Sequence, residues 1–352
     1  MLIRDAKIED YNQIYKLSLK HNLRTPDKNE WQKIWTKNPD FDFVEDKIGW
    51  VIEDKKIIKG FLGYIKKKYI DEEGNEYDGL ISHNWVVDND CRNMSLLLLN
   101  KFFTDIKSDF YINSTASSEV AKVWEAFGAK KIPVDNIKSS LFIPINNDKI
   151  SQIVFKNYLL KNFFYIFLKY FTKFKILSSN TNNNYQIQIK NKLDKELKEF
   201  QYFLEEKNFI REKSDYNWYQ EILVKNNAFD FLKIYKGSTF VGHCLLITSN
   251  DTKLKKTYIG EIKINKNFRK DKNLYKIIIK KIFAYAKNLK SDLIQIKYLD
   301  EEVYKILKQI IFLNKNYNFC SFYYYSSDQK LILKLSKKKW IISMLSGDSF
   351  LI

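Results

Sequence analysis

The chain has 352 residues with 60 Lys+Arg, 42 Asp+Glu and a formal net charge of +18, a length that suits two domains of ordinary size. An apolar share of 45% and an aromatic share of 16% exclude a disordered chain, and 10 Gly with 4 Pro exclude a fibrous or loop-dominated one. Cys91, Cys244 and Cys320 have no metal-ligand spacing and cannot all pair with one another, so a reducing compartment and no metal are expected.

The opening Met1-Leu2-Ile3-Arg4-Asp5 lacks the apolar core of a signal peptide, and no run of about 18 apolar residues occurs after it, so a cytoplasmic location is expected. Leu2-Ile3-Arg4 reads as a strand, and Ile8, Tyr11, Ile14, Tyr15 and Leu17 fall near helical spacing. After Trp31 and Trp35, Gly49–Glu53 and Ile57–Tyr64 flank Asp54-Lys55-Lys56, an antiparallel hairpin signal. Next come a strand over Leu80–Val87, a helix from Ser95 to Phe103, a strand over Phe110–Asn113 and a helix from Glu119 to Phe127 stopped by Gly128. Ile132 and Leu141-Phe142-Ile143 read as the closing strand region of this half.

The second half repeats that order. Phe231–Tyr235, Lys236-Gly237-Ser238 and Thr239–Gly242 echo the first hairpin, with Gly242 in the place of Gly60. Tyr258–Ile264, a helix from Leu274 to Ala286, Leu293–Ile296 and Glu301–Ile310 then match the later elements. An offset of about 180 residues is too long for a solenoid repeat, so each copy is a domain. Residues 1–150 are close to neutral and the excess positive charge lies beyond them, almost all of it lysine. Lysine excess suits diffuse attraction more than base-specific reading by the Arg fork.

Residues 151–177 between the copies contain no acidic residue and read as one amphipathic helix. Leu159, Leu160, Phe163, Phe164, Phe167, Tyr170, Phe171 and Phe174 form one face, and Lys161, Lys169 and Lys173 lie on the other. Such a helix fits peripheral contact with an anionic membrane, or a connector that packs its Phe face on the second domain. The tract Ser178–Asn184 reads as a flexible joint.

The sharpest chemical feature is the passage from strand Leu80–Val87 into the helix near Ser95. Backbone amides at a helix N-terminus, the helix dipole and Arg92 together make an anion site, with Asn93 able to take a left-handed conformation where glycine is absent. Val86-Val87-Asp88, Arg92-Asn93-Met94-Ser95-Leu96-Leu97-Leu98, Ile112-Asn113-Ser114-Thr115-Ala116 and Glu119 to Lys131 carry a resemblance. On these residues the first half resembles the GNAT superfamily of acyl-CoA-dependent N-acyltransferases. That family has Gln/Arg-x-x-Gly-x-Gly/Ala at the turn, where backbone amides hold the acyl-CoA pyrophosphate. This turn has no glycine, and Trp124 stands where the family often has a general-acid Tyr.

The resemblance implies an α/β (α+β mixed sheet) fold of two tandem GNAT-like domains. The expected boundaries are 1–149 for the acyl-CoA-binding domain, 150–185 for the basic linker helix and Asn-rich joint, and 186–352 for a degenerate second domain. It implies acetyl-CoA or another acyl-CoA as co-substrate, with Val86, Val87, Arg92, Asn93, Met94, Ser95 and Leu96 along the cofactor and Asn113 and Thr115 lining the cleft. His83 or Glu53 would deprotonate the acceptor amine, His83 having the pKa range suited to it. Strict alternation puts His83 and Trp85 on one face and Ser82 and Asn84 on the other. In the second copy, Arg269 stands at the corresponding turn without a small residue, so acyl-CoA binding is expected to be lost there. The acceptor expected is a small molecule, an amino sugar or cell-surface polysaccharide precursor, at the inner face of the membrane. Two alternatives are an aminoacyl transferase of the tandem cell-wall type using aminoacyl-tRNA, and a non-catalytic membrane- or polymer-binding module. Other nucleic acid is not expected.

Overall fold

Two-residue hairpins of the sharpest kind need left-handed backbone at both central positions, and the first hairpin meets that need with Lys55 and Lys56 at φ 48° and 67°. The structure is a computed structural model. It describes residues 1–346 except 24, 134–138, 172–183, 201–207, 214, 224–226, 251–252, 298–299, 312 and 317–320. The joint expected over Ser178–Asn184, apart from Asn184, and Phe174, Lys173 and Cys320 therefore lie outside the described residues.

The first half contains β1 (Leu2–Asp5), α1 (Tyr11–Lys20), α2 (Lys28–Thr36), β2 (Gly49–Asp54), β3 (Ile57–Asp71) and β4 (Glu76–Val87). It continues with α3 (Ser95–Thr104), β5 (Phe110–Ala116), α4 (Ser118–Ala126), β6 (Lys130–Lys131) and β7 (Ser139–Pro144). Next come α5 (Asn147–Val154), α6 (Tyr158–Phe171), β8 (Tyr185–Lys190), α7 (Lys195–Glu199), β9 (Phe209–Glu212) and α8 (Tyr216–Leu223). The second copy comprises β10 (Asn227–Lys236), β11 (Thr239–Asn250), β12 (Lys255–Ile264), α9 (Lys272–Asn288), β13 (Leu293–Ile296) and α10 (Glu301–Ile310). The chain closes through β14 (Asn314–Asn316), β15 (Ser321–Tyr325), α11 (Gln329–Ser336) and β16 (Lys339–Ile341).

These strands form two mixed sheets, and the duplication survives in their irregularities. The β2–β3 ladder slips beside Gly60, between Ile52 and Glu53, and the β10–β11 ladder slips beside Gly242, between Ile234 and Tyr235. A second bulge sits on β4 at Asn84-Trp85 opposite Leu62, and its counterpart on β12 is at Gly260. Each copy then has a short parallel ladder at the corresponding place, β4 with β5 and β12 with β13.

The sheets do not keep to the expected boundaries. β7, expected to close the first unit, pairs with β13 in the second sheet, and Leu141 and Ile143 are buried in the second core. In return β15 pairs with β5 and β6 in the first sheet, Tyr323 opposite Asn113. Neither a 1–149 nor a 186–352 segment therefore holds a whole sheet. An alternating strand fits the edge of either sheet, so its own pattern does not choose the partner. The expected single helix over 151–177 is also corrected: α5 ends at Val154, and Asn157 starts α6 by accepting the Leu159 N–H at 2.9 Å.

A buried ion pair joins β3 to β9, which pair as neighbours in the first sheet. Lys67 of β3 and Glu212 of β9 are each 4% exposed and 2.8 Å apart. The ammonium also donates to the Leu345 carbonyl at 2.9 Å and to the Tyr219 hydroxyl of α8, which in turn donates to Glu212. Three ammonium hydrogens thus meet three acceptors, two from the neighbouring β9 and α8 and one from the distant turn at Leu345. Asp71 makes a second tie. Burial disfavours its charge, but hydrogen bonds from Asn75 and Tyr77 prevail and hold its carboxyl below the ordinary range, and Lys334 and Lys338 lie 3.4 and 3.5 Å away.

Lys67→Met removes the cation that faces the buried Glu212 carboxylate, so urea titration should show a loss of about 3–5 kcal/mol, and Lys67→Met with Glu212→Leu should recover most of it. Asp71 contributes stability that is full above its unfolded value of 3.8 and is lost as acid approaches the lower folded value. Asp71→Asn should therefore flatten the acid limb of the stability curve below about pH 4, read from melts across that range.

Candidate functional site

The parallel ladder between β4 and β5 runs from Gly79↔Phe110 to Ile81↔Ile112 and ends there. Beyond it β4 continues to Val87, paired among the described residues with β3 alone, while β5 turns its other edge to β15. Ser82–Val87 and Asn113–Ala116 thus flank a gap between neighbouring strands. Val86 is buried and Val87 half-buried, and both remain held from the β3 side by Phe61 and Gly60.

His83 lies just past the end of the ladder. It is 5% exposed, and its ring stands edge-on to Trp35 of α2 at 6.2 Å. The alternation expected on β4 fails here. Asn84 takes φ 52°, and its amide nitrogen donates to Ser18 of α1 at 3.0 Å, so His83 and Asn84 both face the α1–α2 side. A bulge residue in left-handed conformation turns two successive side chains to one face. Across the gap Asn113 is buried, and its carbonyl oxygen accepts the Thr115 N–H at 3.1 Å. Thr115 is half-buried on the same strand.

Glu53 is not brought to this place. It lies on β2 opposite Leu2, and its carboxylate accepts from Arg4 at 2.7 Å, with Arg4 also bound to Asp10. Its neighbourhood is the β1–β2 edge, two strands from β4.

At the end of β4 the chain enters a 3-10 turn over Asn89–Met94 that runs directly into α3. Asn93 is not left-handed; the turn closes instead through Cys91 N–H to Asp88 and Ser95 N–H to Arg92. These amides are spent inside the turn, so the tight backbone cradle seen with glycines does not form in this geometry. Arg92, Asn93 and Leu96 are exposed, and Met94 and Ser95 are half-buried. Asp88, under the same turn, is answered by Lys20 at 2.6 Å and by His21 at 3.0 Å, and Asp90 by Lys59 at 3.1 Å. Among the described residues Arg92 makes no ion pair and is a free cation at this end of the gap.

The second copy differs at this position. Arg269 is 2% exposed, bound to Asp300 and 3.0 Å from Glu302. Asp300 also caps α10 by accepting the Glu302 N–H at 3.0 Å. The second bulge is taken as well, since the Gly260 carbonyl accepts the Met344 N–H at 3.1 Å. Trp124 is fully buried among Phe102 and Phe103, a packing position. β15 was missed as a neighbour of the gap. It brings Tyr323 beside Asn113, its hydroxyl donating to Glu125 at 2.7 Å, with burial pushing the phenol up to about 12. Nothing local to Ser321–Tyr325 marks that partnership.

No family model and no curated protein matches the sequence. Among solved structures, a tandem GNAT protein from the clavulanic acid biosynthesis pathway aligns at TM-score 0.56 and 9% identity, over 93% of this chain and 98% of that one. A GCN5-related N-acetyltransferase from Anabaena variabilis aligns at 0.54 and 8%, over 96% and 75%. Saccharomyces cerevisiae N-myristoyltransferase with bound myristoyl-CoA aligns at 0.54 and 12%, over 92% and 82%. At these identities the likeness shows the fold: a tandem GNAT-type α/β architecture.

The two turn arginines should separate on substitution. Arg269→Ala leaves Asp300 buried without its cation and should cost about 3 kcal/mol or more, whereas Arg92→Ala should stay within about 0.5 kcal/mol. Chemical denaturation of both variants reads the difference.

Proposed function

We propose that this tandem GNAT-type chain transfers an acyl group from acyl-CoA to an amine, using the gap between β4 and β5 in the first sheet. The observation that carries the reading is the early end of that ladder at Ile81↔Ile112, with the free cation Arg92 beyond it. The unpaired edge of Val86-Val87 offers backbone groups to an extended pantetheine arm. Asn113 and Thr115 line the other side. Arg92 draws the phosphates to the turn of Asn93, Met94 and Ser95, with Leu96 beside it, by charge more than by an amide cradle. Solved structures of this fold that act as N-acetyl- and N-myristoyltransferases support the reaction class.

His83 is the base in this reading, because Glu53 is held by Arg4 at another edge of the sheet. A water between His83 and the acceptor passes the ammonium proton to the imidazole. The amine lone pair then attacks the thioester carbonyl, the C–N bond forms, and the tetrahedral oxyanion collapses with loss of the CoA thiolate. The imidazolium returns that proton to the leaving sulfur, and the second proton on the attacking nitrogen leaves to solvent water as the neutral amide forms.

The face of α6 supports an acceptor at a membrane. Leu168 is buried and Phe164 packs beside it, while Leu159, Phe163, Ile166 and Tyr170 on the opposite side are exposed. The helix therefore turns its apolar stripe outward, contrary to a connector that buries its Phe face. Lys156 and Lys169 are exposed on the same segment, and Lys287 and Lys290 adjoin Lys169 across a cleft. Large apolar rings flanked by lysines complement an anionic lipid surface. An amino sugar or surface-glycan precursor presented there would meet the enzyme at the inner face of the membrane.

Calorimetry should detect acetyl-CoA or a longer acyl-CoA binding one site, weakened roughly tenfold by Arg92→Ala. No binding by any acyl-CoA would sink the reading. With an amine acceptor in hand, His83→Ala should lower turnover by about 10²–10⁴. Phe163→Ser with Tyr170→Ser should release the chain from phosphatidylglycerol vesicles in sedimentation. Equal sedimentation of variant and parent, or a dimer in solution that these changes dissociate, would remove the membrane from the account.

A further inference from the structure

A cavity of about 240 Å3 lies away from that gap, between β9, the start of α8 and the second sheet. Arg211, Asp215, Tyr216, His243 and Lys263 contribute its polar lining, and Leu197 and Phe200 its apolar wall. The Tyr216 hydroxyl donates to Glu261, accepts from Lys263 at 2.7 Å and stands 3.3 Å from His243 Nε2. A phenol has one proton, and here it goes to Glu261. Toward His243 the oxygen therefore accepts, which makes Nε2 the protonated nitrogen and leaves Nδ1 a bare acceptor. His243 is 1% exposed, and burial, with Lys263 nearby, pushes it down to about 3, so the ring is neutral at ordinary pH.

Two buried polar atoms in this lining have no hydrogen-bond partner among the described residues: Nδ1 of His243 and Nε of Arg211. The remaining charges are mostly answered. Lys263 lies 3.2 Å from Glu261, and Lys213 at the rim donates to Glu76 at 2.6 Å. Arg211 and Asp215 make no ion pair among the described residues; one Asp215 oxygen accepts the Trp218 N–H at 2.9 Å as the cap of α8. The cavity thus presents one unanswered cation, one unanswered carboxylate and one buried acceptor. Buried polar groups of this kind are costly to leave unmet.

We infer that the cavity binds an amino-acid-sized zwitterion, its carboxylate on Arg211 and its ammonium on Asp215 and His243 Nδ1. A guanidinium suits a planar carboxylate, and an ammonium offers three donors to two nearby acceptors. The mixed lining of charged, polar and apolar side chains suits a free amino acid. This site is independent of acyl-CoA binding, and it stands or falls by its own experiment.

The full chain is screened by thermal shift against each of the twenty common L-amino acids, with acetate and methylamine as one-ended controls, and any stabilising compound is taken to calorimetry. One or more amino acids should bind while the controls do not. Arg211→Gln and Asp215→Asn should each weaken binding roughly tenfold to a hundredfold, and the second keeps a side chain able to cap α8. Melting of each variant without ligand checks that it folds. Absence of binding by all twenty, binding of acetate as tight as that of any amino acid, or undiminished affinity in a folded Arg211→Gln each overturns the inference.

Discussion

Everything else in this molecule hangs on where one lysine ammonium is buried. Lys67 has no water to fall back on, so its three hydrogens must be met by Glu212, Tyr219 and the Leu345 carbonyl together. Those groups come from the long β3–β4 hairpin, the strand and helix that open the second copy, and the last described turn of the chain. Satisfying one cation thus ties β9, α8 and the last described turn to β3 in the first sheet. The largest core cluster reflects this, since it runs from Trp31 and Trp35 through Trp218 and Tyr219 to Phe231 and Leu245 without a break between copies.

Duplication followed by divergence is visible at the level of single backbone positions. Both copies keep the bulge beside the hairpin glycine and the bulge midway along the central strand. What has diverged is the chemistry hung on them. The turn arginine is free in the first copy and neutralised by Asp300 and Glu302 in the second. The second central bulge has been taken over by the backbone of Met344. In exchange the second copy has gathered a buried Tyr216–Glu261–Lys263–His243 cluster that has no counterpart among the residues of the first gap.

Much of the fold was legible because its signals are local. Hairpins, caps and the periodicity of α9 and α10 arise from turn residues and apolar spacing, and Leu293–Ile296 and Glu301–Ile310 appear at the expected bounds. The exchange of β7 and β15 was not legible, because strand partnership is decided by tertiary packing over some two hundred residues. The candidate site was half legible. The strand carrying His83 and the Arg92 turn stood out, but Glu53 was lost to Arg4, and Asn84 broke the alternation that assigned faces. For α6 the period gave two faces and no means of telling which one docks. Leu168, flanked in sequence by Phe167 and Lys169, turned out to be the buried contact.

The exchanged strands also bear on how such a chain is made. A ribosome delivers β5 some two hundred residues before β15, so the first sheet spends most of synthesis with an open edge beside the gap between β4 and β5. Until β15 arrives with Tyr323, that gap has one wall that is unsupported on its outer side. The first sheet is therefore completed only after the end of the second copy has emerged, and a nascent or truncated chain carries Asn113 and Thr115 without the strand that flanks them.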